Sequence, residues 1–273
     1  MNKSTIKIVF TDLDGTLLNS DYEISQANME MLYRLKDKNI VSVIVTGRNL
    51  YSLNRAIATD FPVDYVVFSS GAGIVDWKTK QLIHSRNLTR DQIDSVSDLL
   101  MREKINFMLH RKVPDNHQFY YFHHDEIMED FQRRLNLYLD HADRMHVVHP
   151  DLNLASQFLA IFDDLEKFET IRRQLKNVKV IRATSPLDHQ SIWMEIFHPR
   201  VSKKTGCQWL CTYLNIQQYN TISFGNDYND LDMLEWTAQS YVVANSPRHL
   251  REKFQTTTSN NKNGFSKMLQ DLV

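Results

Sequence analysis

Short apolar runs, each closed by a polar turn, recur early in the chain and again near its end. The run KIVF, Lys7 to Phe10, passes straight into acid, the pattern of a buried parallel strand. Ser25 then offers an N-cap, Ile24 and Met29 are placed for a hydrophobic staple, and Met29, Leu32, Tyr33 and Leu35 recur at helical spacing. VSVIV, Val41 to Val45, reads as a second strand ending in Thr46-Gly47-Arg48. A helix over Tyr51 to Ala58 leads to a third strand, Tyr65 to Phe68, which ends in SSGAG. Strand alternating with helix predicts an α/β fold, a doubly wound Rossmann-like parallel sheet whose ligands sit at the carboxyl ends of the strands.

The middle of the chain has a different rhythm. From Trp77 to His198 it is rich in His, Arg and aromatic residues and lacks tight βαβ spacing. Amphipathic helices are expected near Arg90–Glu103, Asp125–Asp140 and Leu165–Leu175, and strands near Gln118–Phe122, Gln157–Phe162, Val178–Ala183 and Ser191–Phe197. These groupings predict an α+β insert with a largely antiparallel sheet. Alternation then resumes. Ser202 caps a helix striped by Cys207, Leu210, Cys211 and Leu214. Thr221–Phe224 and Tyr241–Ala244 read as strands, and a last helix starts near Gly264. Residues 1–76 and 199–273 are thus expected to form one domain, interrupted by a second over 77–198.

Composition narrows the function classes. The 273 residues are enough for two domains, and 42% hydrophobic with 24% charged residues is an ordinary balance for burying a core. A formal net charge of −1 gives no field toward nucleic acid or an anionic membrane surface. No apolar run approaches the roughly 18 residues of a membrane span, and the N-terminus lacks the apolar core of a signal peptide. A cytoplasmic protein, monomeric or homodimeric, is expected. Cys207 and Cys211, four apart on a helix, read as small apolar core residues rather than a redox pair.

Four places carry candidate chemistry. In DLDGTLL, Asp12 and Asp14 follow a strand directly, and Gly15 permits a sharp turn after them. Carboxylates this close repel by roughly 4 kcal/mol at about 4 Å in a medium of moderate dielectric, which a hard cation would relieve. Thr46, Gly47 and Arg48 also end a strand. A hydroxyl and glycine N–H groups suit phosphate oxygens, whereas the plainer reading makes Thr46 the N-cap of the next helix. Lys203 stands at a helix start, against the macrodipole, where an anion would favour it; a surface lysine is the plainer reading. Finally GNDYND, residues 225–230, offers oxygen from Asn226, Asp227, Asn229 and Asp230, a set that suits magnesium.

The order DxDGT, TGR, late Lys and GNDYND resembles the haloacid dehalogenase superfamily, specifically its Cof-type hydrolases. TTSNNKNGF, residues 257–265, is also similar to the loop before their last helix. The resemblance implies a phosphatase acting on a small phosphorylated metabolite such as a sugar phosphate. Asp12 would be the nucleophile that becomes phosphorylated, and Asp14 the general acid and base. Thr46, Gly47, Lys203 and Asn229 would hold the phosphoryl group. Mg2+ would bind Asp12, Asp14, Asn226 and Asp230, with Asp227 as the fallback ligand. The chain departs from the family's pattern at three positions: Asn226 replaces an acid, Ser70 replaces a frequent Asn, and Lys204 stands where Gly is common.

About thirty residues separate Asp14 from Thr46, too few for a domain. The insert therefore follows the third strand and matches the family's α+β cap, which selects the substrate. Within it Asp188, His189 and Trp193 are candidates to meet substrate, alongside Arg48 of the core. His123, His124, His141, His146 and His149 have irregular spacing and no cysteine nearby, so solvated histidines are a better reading than a zinc site. Trp77 and Trp236 read as packing residues. A phosphosugar mutase and a non-catalytic phospho-ligand-binding protein are the alternative functions, and the intact Asp12 and Asp14 weigh against the second.

Overall fold

A computed structural model describes residues 6–124 and 126–273, and the chain divides into two compact units. One runs to His84 and resumes at Ser202; the other spans Ser85–Val201.

In the first unit β1 (Ile8–Thr11), β2 (Val41–Val45) and β3 (Tyr65–Phe68) are parallel neighbours, joined through α1 (Gln26–Asp37) and α2 (Leu50–Ala56). Ser25 caps α1 by accepting the Asn28 N–H at 3.2 Å. α2 is capped by Asn49, which accepts the Ser52 N–H at 2.8 Å, so Thr46 is not its cap. β4 (Gly73–Asp76) turns back antiparallel to β3, and β5 (Leu82–Ser85) lies beside it. This addition to the sheet carries the first unit past residue 76 to His84.

The second unit contains β6 (Leu88–Thr89), α3 (Arg90–Arg102), β7 (Phe107–Arg111), β8 (Phe119–Phe122), α4 (Glu129–Leu137), β9 (Ala142–Arg144), β10 (Leu154–Phe162), α5 (Leu165–Gln174), β11 (Lys179–Thr184) and β12 (Ile192–Phe197). Its sheet order is β11-β12-β10-β7-β8-β9, antiparallel except for the β8–β9 pair. Phe107, Leu109, Phe158, Phe162 and Met194 form its core with Ile93, Leu100, Phe168 and Ile171 of the helices. The helix expected from Asp125 begins only at Glu129, and Asp125 itself lies outside the described residues.

The chain then returns to the first unit through α6 (Lys203–Tyr213), β13 (Thr221–Gly225), α7 (Leu231–Trp236), β14 (Gln239–Val243), α8 (Arg248–Lys253), β15 (Gln255–Thr257) and α9 (Gly264–Gln270). The resulting sheet order is β15-β14-β13-β1-β2-β3-β4-β5. β1 to β3 progress in one direction and β13 to β15 in the other, so the order reverses between β1 and β13. That switch point is where an open α/β sheet leaves a crevice at its carboxyl edge. Asp12 follows one of these strands and residues 226–230 follow the other. Among the described residues no helix is long and apolar enough to cross a membrane.

Candidate active site

The segment after β1 is a single wide turn. The Leu18 N–H closes it on the Leu13 carbonyl at 2.9 Å, and Gly15 sits at φ 72°, a conformation that penalises a side chain. Three amides brace the turn. Asn245 donates to the Gly15 carbonyl at 2.9 Å, Asn28 to that of Leu17 at 2.9 Å and Asn260 to that of Leu18 at 3.0 Å. Asn260 belongs to the TTSNNKNG loop, so that loop supports the turn after β1. Asn28 and Asn245 stand outside every motif of the sequence, since isolated amides form no pattern.

Lys203 is completely buried, which overturns its reading as a surface lysine. Its Nζ donates to Asp12 Oδ1 and to Asp230 Oδ1, each at 2.6 Å. Those carboxylates hold Lys203 protonated above its ordinary range, although burial alone would work against the charge. Asp12 feels the converse. Burial pushes its carboxyl up to about 8 against the pull of Lys203, and the carboxylates of Asp230 and Asp14 add to the rise. Positive charge brought to this carboxylate would favour its ionised form.

Thr46 is buried, and its hydroxyl accepts the Arg48 N–H at 3.1 Å, closing a tight turn. The Ser69 and Ser70 N–H groups reach the carbonyls of Arg48 and Thr46 at 2.8 and 3.0 Å, tying the end of β3 onto this turn. Ser69 and Ser70 pay for that tie with left-handed backbone, φ 48° and 54°. A Cβ on Gly47 would stand 3.6 Å from Ser70 Oγ and 3.9 Å from Asn229 Nδ2, so these three residues meet at one spot. Arg48 turns to Asp14, forming a forked ion pair with contacts of 2.6 and 2.7 Å.

The end of the Asn226 side chain stands 3.0 Å from Asp12 Oδ2 and 3.2 Å from the Asp14 carbonyl oxygen. Magnesium bound octahedrally at about 2.1 Å sets neighbouring ligand oxygens about 3.0 Å apart, so with Oδ1 turned inward these donors fit the ion. Asp227, the fallback ligand, caps the short helical turn there, its side chain accepting the Asp230 N–H. Asp230, also expected as a ligand, is completely buried; its Oδ1 serves Lys203, and its Oδ2 accepts the N–H groups of Asn226 and Asp227 at 2.8 and 3.0 Å.

The remaining candidates lie in the second unit. Asp188 caps its own turn, accepting from the Gln190 and Ser191 N–H groups at 2.9 Å. Burial raises its pKa, but hydrogen bonds from Ser191, Gln190 and Ser185 prevail and hold it below the usual carboxylate range. His189 follows with φ 58°. Trp193 is buried and donates its indole N–H to Asp130 at 2.8 Å, so its polar edge is spent on packing. His117 and His141 meet edge to face at 4.9 Å, and among the described residues no group of three His, Cys, Asp or Glu side chains is arranged to hold a metal.

This arrangement has relatives. A sequence profile described as haloacid dehalogenase-like hydrolase matches residues 9–269. "Putative phosphatase YxeH" of Bacillus subtilis is 24% identical, with 98% of each chain covered. The 5-amino-6-(5-phospho-D-ribitylamino)uracil phosphatase YwtE of the same organism is also 24% identical, again over 98% of each chain. Among solved structures, the phosphatase BT1666 from Bacteroides thetaiotaomicron superposes with a TM-score of 0.80 at 18% identity, covering 99% of this chain and 96% of that one.

Proposed function

Because the chain belongs to the haloacid dehalogenase-like hydrolases, we propose that it is a magnesium-dependent phosphatase hydrolysing small phosphomonoesters through a phosphorylated Asp12. The observation that carries this reading is the convergence on Asp12 of a buried ammonium and two further oxygen donors. Lys203 lies 2.6 Å from one carboxylate oxygen, and the Asn226 side chain lies 3.0 Å from the other.

In this reading the Asp12 carboxylate attacks phosphorus, and the bond to the leaving oxygen breaks as the new one forms. Asp14, once it carries a proton and its fork with Arg48 has opened, gives that proton to the departing alkoxide. It then takes a proton from the water that attacks the aspartyl-phosphate, releasing inorganic phosphate and restoring Asp12. The Thr46 hydroxyl and Gly47 N–H receive phosphoryl oxygens, with Asn229 beside them, and Lys203 balances charge on nucleophile and phosphate. Magnesium held by Asp12, the Asp14 carbonyl and Asn226, with Asp230 bracing them, supplies positive charge against the transferring group. With all three carboxyl groups ionised, Asp12, Asp14 and Asp230 face two cations, Lys203 and Arg48, so that state of the site carries one net negative charge that a bound cation would offset.

The second unit is the cap that chooses the leaving group, with Asp188 and His189 as its candidate contacts. A sugar or sugar-alcohol phosphate is the substrate class we favour, in keeping with the ribityl phosphate in the name of the YwtE relative. The test is magnesium-dependent phosphate release from para-nitrophenyl phosphate, followed by a panel of phosphorylated sugars. Asp12→Asn should abolish turnover and leave the circular dichroism spectrum intact. A variant that still turned over at the wild-type rate would remove Asp12 as nucleophile.

A further inference from the structure

The Asn226 amide faces a wall of acceptors. Asp12 Oδ2 lies 3.0 Å from its inner end, and the Asp14 carbonyl oxygen and Thr16 Oγ1 each lie 3.2 Å away. With Oδ1 turned inward, the Thr16 hydroxyl donates to it at 3.2 Å, but the other two contacts set oxygen against oxygen. That orientation needs a cation. With Nδ2 turned inward, the two N–H groups of the amide face three acceptors, and no cation is needed. An acid at this position has only the first option.

We infer that Asn226 is a two-way latch: its oxygen ligates the divalent cation when one is present, and its NH2 group bridges Asp12 and Asp14 when none is. The inference rests on the cation reading above and adds a property of the metal-free protein. Three observations support it. The Asn226 backbone is pinned, its N–H bonded to Asp230 Oδ2 at 2.8 Å, so the exchange requires only rotation of the terminal amide. Thr16 is complementary to both orientations, because a hydroxyl donates to Oδ1 and accepts from Nδ2. Gly15 leaves room for the outer end of the amide, which stands 2.6 Å from where a Cβ would project.

The exchange also explains what the chain gains by giving up a ligand charge. An aspartate at position 226 would add a further acidic group to the metal-free site. It would also set a second carboxyl group against Asp12 Oδ2, where only a shared proton or a cation could join the two. The amide weakens the hold on the cation and keeps the site assembled after the cation has left.

The experiment compares wild type with Asn226→Asp by magnesium calorimetry and by thermal unfolding in chelator and in saturating magnesium. Magnesium should bind the variant roughly tenfold tighter or more, since ligand charge sets affinity in oxygen sites. In chelator the variant should melt several degrees below wild type, and magnesium should raise its melting point more than it raises that of wild type. On the wild-type protein, the Asn226 side-chain amide pair in a 15N–1H spectrum, identified by its absence in the variant, should exchange slowly in chelator and shift as magnesium is added. Equal melting points in chelator, or an amide pair unmoved while calorimetry shows magnesium binding, would overturn the latch alone. Absence of magnesium binding to both proteins would instead bring down the cation reading and the latch with it. Should Asn226→Asp fail to fold even with magnesium, the wild-type titration decides the matter.

Discussion

Arg48 grips Asp14 with both arms of its guanidinium, Nη2 to Oδ1 at 2.6 Å and Nε to Oδ2 at 2.7 Å. A third nitrogen, Nη1, donates to Ser52 Oγ at 3.1 Å, so the fork is itself anchored on α2. In the free protein the proposed proton carrier is therefore oriented before substrate arrives. Lysine keeps the charge but has no planar fork. Arg48→Lys is expected to lower kcat by roughly 100-fold, the lower end of the range attributed to general acid–base catalysis, and to leave KM nearly unchanged. The pair is partly exposed, so stability should change by no more than about 1 kcal/mol. Steady-state kinetics across pH, together with a urea melt, separates the two effects.

Lys203 joins Asp12 and Asp230 in a region closed to water. Removing the ammonium leaves two buried carboxylates facing each other, and breaking a buried pair in this way costs about 3–5 kcal/mol. Lys203→Met is expected to lose that much in urea unfolding at neutral pH, along with all turnover. Asp230→Asn should also destabilise, because an amide has one oxygen to serve both Lys203 and the N–H groups of Asn226 and Asp227. Equal stability of Lys203→Met and wild type would mean that the cluster is not held together by this charge.

Much of this was legible because β1, β2 and β3 are buried parallel strands, and such strands announce themselves as unbroken apolar runs closed by turns. The resemblance to a family then carried the four motifs to one place. Other features have no local signature. The central β7 reads FMLHR, an apolar run that falls away into His and Arg, and no alternation marks it as a strand. Asn49, not Thr46, caps α2, and both residue types are good caps on propensity alone. The burial of Lys203 depends on partners 191 and 27 residues away, which no window of sequence contains. Trp193 looked available for substrate because its polar partner, Asp130, lies 63 residues earlier.

His110 gives the second unit a pH dependence of its own. Its ring is buried on β7, with Nδ1 2.8 Å from the Asn116 carbonyl oxygen. Burial pushes its pKa down from the ordinary 6.5 to about 3; positive charge at Arg134 and His117 adds to the drop, and the Asn116 carbonyl opposes it. The unfolded chain therefore binds a proton near pH 6.5 that the folded chain refuses until about pH 3. Stability from this group is complete above the higher value and falls with acidification by about 1.4 kcal/mol per pH unit across the window. Urea unfolding of the full chain from pH 7 to pH 4.5 should show this loss. His110→Asn, which keeps a donor for the Asn116 carbonyl but does not titrate, should flatten the slope by about one proton. Identical slopes for variant and wild type would show that His110 takes up its proton in the folded state, and that its environment is wetter than its burial implies.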